Sequence, residues 1–339
     1  MTRRTTIRTI RDVAERAGVS PTTVSHVINQ TRFVSAETQV KVRAAMEELG
    51  YRRNALARSL RRGKSHTVGV ILPDSANPFF AEIGRGVEDT TFALNYSLIL
   101  CNSENDSNKE RFYAGVLCEK QADGIIFVST GESTELLNSL IARGLAVVVV
   151  DREVPDVPAD TVLTDNLQGG FLATQHLIGL GHRRIGCITG PSPLRPSAQR
   201  LSGHLKALDE YGIARDPEVI ARGDFQYQSG YEAAHKLLDL PRPPTAIFAH
   251  NDLMAVGAIR AAVERGLQVP RDLAVVGFDD VPLASFTNPR LTTVAQPKHE
   301  LGVRAMRMLT ERIQNHLLEP RREVLPTTLI VRDSCGGCA

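Results

Sequence analysis

The chain has 339 residues, enough for two or three domains with substantial cores. Its net charge of +2 hides a split: residues 1–66 carry 14 Lys/Arg against 5 Asp/Glu, net +9, while the remainder carries 26 against 33, net −7. No apolar run approaches the roughly 20 residues of a membrane span, MTRRTTIR has no apolar signal core behind it, and five scattered cysteines make no disulfide framework. These features predict a cytoplasmic protein with no membrane contact, whose basic head meets a polyanion.

From Thr9 to Asn29 the sequence TIRDVAERAGVSPTTVSHVIN predicts two short helices joined by a tight turn. Thr9 with Asp12 three residues on is a capping-box pattern. Ile10, Val13, Ala14 and Ala17 then share one helical face. Gly18 suits the left-handed residue after a helix end. Ser20 caps a second helix with Pro21 at its first position, where a missing N–H does no harm. Val24, Val27 and Ile28 turn inward, leaving Thr22, Ser25, His26 and Asn29 on the outer face. Short hydrogen-bonding side chains on a rigid helix suit the major groove; an ordinary helical hairpin is the alternative. Ser35 caps a third helix with a Val42, Ala45, Met46, Leu49 stripe, ended by Gly50, and Arg32 in the preceding loop suits a phosphate or a base.

NALARSLRRGKSH (54–66) is helix-prone and basic but too short and too polar to be stable alone. Leu60, beside Ala57 and Arg61, is either an apolar wedge for a minor-groove step or an incidental leucine in a flexible linker. From Val68 the pattern changes to alternating strands and helices. VGVIL (68–72), SLILC (97–101), GIIFV (124–128) and AVVVV (146–150) form one series, and RIGCIT (184–189), TAIFA (245–249) and LAVVGF (273–278) a second. Two such series predict two doubly wound α/β lobes with parallel sheets and a cleft between them.

In open α/β sheets, ligands bind beyond the carboxyl ends of the strands. Those places hold Asn77, Phe79, Phe80, Asp151, Arg152, Arg200, Phe225, Asn251-Asp252, Asp279-Asp280 and Gln296. Carboxylates and amides bond adjacent hydroxyls, an arginine fork binds two oxygens, and phenylalanine rings cover C–H faces, so together they read as a sugar site. No nucleophile elbow, P-loop or metal-spaced cluster is present, and the GRG at 84–86 lacks the third glycine of a dinucleotide fingerprint. No catalytic residue, cofactor or metal is therefore expected. Cys335-Gly-Gly-Cys338 reads as a frayed tail, and no leucine heptads follow the core, which disfavours a tetramerising coiled coil.

These motifs together resemble the LacI/GalR family of transcription regulators: the 9–29 hairpin, ALARSL, VDR at 150–152, TDN at 164–166, HLIGLGHRRIG at 176–186 and GFDD at 277–280. The head is most similar to the ribose and purine repressors, and the core looks like the ribose- and galactose-type periplasmic binding proteins. The resemblance implies a helix-turn-helix headpiece (1–53), a hinge helix and linker (54–66) and an effector-binding core (67–339). Lobe one would comprise about 67–165 and 296–325, and lobe two about 166–295 and 326–334. It assigns DNA contacts to Thr22, Thr23, Ser25, His26 and Arg32, and makes Leu60 the wedge of a hinge helix paired across a homodimer on operator DNA. It assigns the sugar to Asn77, Phe79, Phe80, Asp151, Arg152, Arg200, Phe225, Asn251, Asp279 and Gln296. Purine-responsive relatives carry an Arg and a Thr where Leu194 and Pro196 stand, so a pentose, ribose first, is the expected effector. A periplasmic sugar-binding protein and an α/β enzyme are the alternatives.

Overall fold

The computed structural model describes residues 8–51, 64–131, 133–191 and 194–336. Chain contacts divide the protein into two compact units, Met1–Ser65 and His66–Ala339. Ala57, Leu60, Arg61 and Cys338 lie outside the described residues.

In the first unit α1 (Ile10–Ala17), α2 (Pro21–Asn29) and α3 (Ala36–Glu48) enclose a small core of Val13, Ala14, Val24, Val27, Val42 and Ala45. Each helix start is held locally. Thr9 and Asp12 form the reciprocal capping box, the Ser20 hydroxyl accepts the Thr23 N–H, and the Ser35 hydroxyl accepts the Thr38 N–H. Gly18 takes φ 66° and turns the chain into α2. The Arg16–Glu48 pair joins α1 to α3 at 2.6 Å.

The second unit contains two six-stranded sheets. The first, ordered β11-β5-β4-β3-β1-β2, is parallel throughout. It comprises β1 (Thr67–Leu72), β2 (Ser97–Asn102), β3 (Gly124–Phe127), β4 (Ala146–Val150), β5 (Asp160–Thr164) and β11 (Arg322–Leu325). The second, ordered β12-β10-β9-β8-β6-β7, comprises β6 (Ile185–Thr189), β7 (Ile220–Arg222), β8 (Ala246–Ala249), β9 (Ala274–Asp279), β10 (Thr292–Ala295) and β12 (Thr328–Ile330). Here β12 runs antiparallel to β10.

Both faces of each sheet are buried. In the first, Val68, Val70 and Leu72 point to a core shared with α4 (Pro78–Ala93) and α11 (Lys298–Gln314). Ile71, Ile125 and Phe127 point the other way, toward α5 (Ser107–Glu119) and α6 (Thr134–Ala142). This is why the strands read as near-continuous apolar runs instead of alternating ones. The second sheet is covered by α7 (Asn166–Gly179) and α8 (Arg195–Glu210) on one face, and by α9 (Tyr227–Leu238) and α10 (Asp252–Glu264) on the other.

The chain crosses between the lobes after β5, after β10 and after β11. The crossings are tied to one another: Thr164 donates its hydroxyl to Gln296 Oε1, Asp165 N–H donates to Leu325 O at 3.0 Å, and the Thr327 hydroxyl donates to Asp165 O at 3.3 Å. The expected frayed tail is corrected. Ser334 donates to Val275 O, and buried Cys335 lies 3.0 Å from both His176 Nε2 and the Thr292 hydroxyl, so the chain is packed as far as Cys335. No helix among the described residues is long and apolar enough to cross a membrane.

Candidate functional site

The two lobes of the second unit enclose a cavity of about 450 Å³ at the carboxyl ends of their strands. Nine of the ten residues singled out for an effector line it: Asn77, Phe79, Phe80, Asp151, Arg152, Arg200, Phe225, Asn251 and Asp279. Gln296, the tenth, is not among the residues that line the cavity. It stands behind the wall, donating from Nε2 to Asp279 Oδ1 at 2.7 Å while holding Thr164 of another crossing. It positions a lining residue from the hinge.

Lobe one contributes the aromatic floor. Asn77 caps α4, its Oδ1 accepting the Phe79 N–H at 3.0 Å. Phe79 and Phe80 follow, edge to face at 5.0 Å. The Arg152 guanidinium lies 5.3 Å above the Phe80 ring, donating to Asn105 Oδ1 and Ser129 O at 3.1 Å each. Asp151, the residue after β4, adopts φ 65°. Its Oδ2 lies 3.7 Å from Arg152, and its buried Oδ1 has no partner among the described residues, an acceptor left for a ligand donor. Burial pushes its carboxyl upward, opposed by Arg152 and Arg200.

Lobe two contributes the facing charges. Arg200 reaches in from α8, 3.8 Å above the Phe278 ring, donating to Asn166 Oδ1 at 2.8 Å and to His250 O. It lies 3.8 Å from Asp279 Oδ1. Burial raises the Asp279 carboxyl to about 6, against the pull of Arg200, Gln296 and Lys298. Behind it, buried Asp252 accepts from the Thr293 hydroxyl and from Val281 N–H at 2.8 Å, and burial together with Asp279 holds its carboxyl well above the usual range. Asn251 caps α10 and donates from Nδ2 to Phe225 O at 2.9 Å. Phe225 takes φ 72°, and its ring fills the space over Gly190, where a Cβ would come within 2.1 Å.

Left-handed backbone at Asp151, Phe225 and Asp279, with φ of 65°, 72° and 111°, concentrates strain around this cavity, a mark of sites held ready for a ligand. The arrangement can clamp a neutral polyhydroxyl ring, with hydroxyls donating to Asp151 and Asp279, accepting from Arg152 and Arg200, and phenylalanines over the C–H faces. Sequence reasoning missed Asp74, Asn105, Thr130, Leu194, Pro196, Asp224 and Gln226 on the same wall as site residues. Asn105 and Thr130 follow β2 and β3, so the strand-end rule applied to those two strands would have found them.

On the first unit, Thr22 and Arg32 are exposed and Ser25, His26 and Asn29 half-buried. Three of the outer-face side chains already have local partners. His26 Nδ1 lies 2.8 Å from the Thr31 hydroxyl, Asn29 Nδ2 folds back onto Ser25 O at 2.8 Å, and the Thr23 hydroxyl meets Ser20 at 2.9 Å.

Residues 9–54 match the family described as bacterial regulatory proteins, lacI family, and residues 174–335 match the periplasmic binding protein-like domain. The HTH-type transcriptional repressor PurR of Pectobacterium atrosepticum is 44% identical over 96% of this chain and 96% of its own length. The ribose operon repressor of Escherichia coli K12 is 43% identical over 96% and 99%. Among solved structures, the Lac repressor dimer bound to operator and the anti-inducer ONPF aligns with a TM-score of 0.86 at 30% identity, covering 96% of this chain and 98% of that one. A LacI family transcriptional regulator from Enterococcus faecium with bound ribose aligns at 0.73 and 34% identity, covering 80% and 100%. The chain belongs to the LacI family of bacterial regulatory proteins.

Proposed function

We propose that this protein is a homodimeric, sequence-specific DNA-binding repressor whose hold on its operator is released by a pentose, ribose first, bound between the lobes of the core. The observation that carries the sugar reading is the wall itself: carboxylates and guanidiniums from both lobes, backed by three phenylalanines, around one cavity. Identity alone does not choose between relatives at 44% and 43%. The Leu194 and Pro196 positions favour the pentose, since both line the cavity where a purine-responsive site would offer an Arg and a Thr, and Arg195 pairs with Glu153 at 2.7 Å. The ribose-bound Enterococcus faecium relative supports the same choice.

In this reading residues 1–53 form the operator-reading head and 54–66 a hinge, with Ala57, Leu60 and Arg61 at the minor groove. The core at 67–339 closes on the ligand. Thr22, Thr23, Ser25, His26, Asn29 and Arg32 contact DNA. Closure changes how two hinges pair, linking ligand and operator through a coupling free energy of about 1–3 kcal/mol. The protein acts by binding, without turnover. Fluorescence anisotropy on a labelled operator tests it: saturating ribose should weaken operator affinity roughly 5- to 150-fold. Unchanged affinity with ribose, or tightening with hypoxanthine or guanine instead, rejects the pentose as inducer.

A further inference from the structure

We infer that the ligand of this cavity is the unphosphorylated sugar and that a phosphate ester on it is rejected by charge; the inference rests on the sugar reading above. Among the described residues the wall carries four carboxylates, Asp74, Asp151, Asp224 and Asp279, against two guanidiniums, Arg152 and Arg200. Each guanidinium already faces a carboxylate, Arg152 that of Asp151 at 3.7 Å and Arg200 that of Asp279 at 3.8 Å. Two further cations next to these residues are engaged elsewhere. Arg195 at the mouth pairs with Glu153, and Lys298 donates to the backbone carbonyls of Asp279 and Asp280 at 2.6 and 2.8 Å. A phosphate monoester adds about −1.5 to −2 charges at pH 7, and among the described residues no further cationic side chain on this wall balances them.

Helix N-termini are the other source of phosphate affinity, and the chain's own side chains cap two of those at the cavity, α4 and α10. At α4 Asn77 Oδ1 accepts Phe79 N–H at 3.0 Å and the first residue, Pro78, has no N–H to give, while Asp74 Oδ1 accepts Ala76 N–H at 3.0 Å in the loop before it. The start of α9 has no side-chain cap, but the Asp224 carboxylate accepts Gln226 N–H at 2.9 Å just ahead of it and sets a negative charge beside that helix start. Asn251 Oδ1 accepts Met254 N–H at α10, and Pro196 removes a donor from the first turn of α8. Gln226 Nε2 reaches Asp74 Oδ2 across the mouth at 3.4 Å, so two carboxylates flank the way in.

The consequence is a place in a reaction sequence. A phosphoryl transfer moves the terminal phosphoryl group of a nucleoside triphosphate onto a sugar hydroxyl oxygen, with loss of that hydroxyl's proton, and turns the ligand into a molecule the cavity repels. The protein therefore reports the sugar before phosphorylation, and the reaction class that ends its signal is a sugar kinase reaction.

Isothermal titration of the full-length protein with ribose and with ribose 5-phosphate tests this, in the unaltered chain and in the double variant Asp74→Asn/Asp224→Asn. Asp74 is half-exposed and Asp224 exposed, so the variant keeps its core. The expected result is binding of ribose with ribose 5-phosphate at least a hundredfold weaker, the gap closing tenfold or more in the double variant and narrowing in high salt. Ribose 5-phosphate binding within tenfold of ribose overturns the inference. A gap unchanged in both the variant and high salt overturns it too, because rejection is then by shape or ring form. Failure of ribose itself removes the sugar reading first, and this inference with it.

Discussion

Asp279 is the side chain on which ligand binding and stability pull in opposite directions. Its carboxyl is raised to about 6 by burial, and the Asp151 carboxylate adds to the rise. A sugar hydroxyl donating to it stabilises the ionised form, so binding releases a proton below that value. Ribose affinity should therefore be flat above about pH 7 and weaken by up to tenfold per unit as pH falls through 6, read by titration calorimetry. Folding shows the opposite trend. A carboxyl raised in the folded state contributes stability that is fully present below its unfolded value and is lost as pH rises through about 6. Asp279→Asn should accordingly abolish ribose binding while raising the ligand-free Tm at neutral pH. On the head, His26 Nδ1 lies 2.8 Å from the Thr31 hydroxyl, so a base contact by His26 would fall to Nε2. His26→Ala should cost about 1–3 kcal/mol on the specific operator if it reads a base; an equal loss on random DNA would reduce it to a backbone contact.

Helix pairs reach the cavity through glycines, and this is where element packing governs binding. At the α7–α8 crossing a Cβ on Gly203 would come 2.1 Å from Leu167 O, and one on Gly170 2.2 Å from Arg200 O. Gly86 and Gly302 make the same close crossing between α4 and α11, and Gly230 and Gly257 between α9 and α10. The neighbours are backbone atoms, which cannot rotate away, so Gly203→Ala must push α8 outward and carry Arg200 with it. Overpacking of this kind costs about 1–3 kcal/mol. Urea unfolding should show that loss, and titration calorimetry a fall in ribose affinity; unchanged values in both would mean the crossing relaxes freely. The same geometry explains the GRG at 84–86: Gly86 is the contact point of a helix crossing, with His299 O 2.1 Å from where its Cβ would be.

For the core as a whole, the two lobes are bridged beside the cavity by side-chain contacts, among them Gln226 to Asp74 at 3.4 Å and the Arg195–Glu153 pair. Arg195 of lobe two bonds Glu153 of lobe one, which Arg322 also holds at 2.8 Å. The pair is partly exposed, with 49% of the Arg195 side chain accessible, so its worth is bounded by that of surface ion pairs, up to about 1 kcal/mol. Arg195→Gln should weaken ribose binding by no more than about fivefold, and the difference should disappear near 1 M salt. A loss of a hundredfold would mean that Arg195 touches the ligand. Lobe one is fastened more deeply: fully buried Asp160 takes Arg312 at 3.0 Å and Arg321 at 3.2 Å, tying β5 to α11 and to the segment before β11.

Much of this was legible locally. Caps at Thr9, Ser20 and Ser35, the turn at Gly18 and the apolar faces of the first three helices are set by residues within a few positions of one another, so reading the chain in order finds them. The seven apolar runs announced a two-lobed α/β core because a strand buried on both faces leaves no other pattern, and a strand end is where polar residues gather for a ligand. The strands β5, β7, β10, β11 and β12 carry threonines or charged residues in place of a continuous apolar run, and only their pairing within the sheets makes them strands. Gln296 behind the wall, Gln226 meeting Asp74 across the mouth and Cys335 packed beneath α7 join positions 17 to 159 residues apart. Such contacts depend on where the chain crosses between the lobes, three times, and no local spacing encodes that.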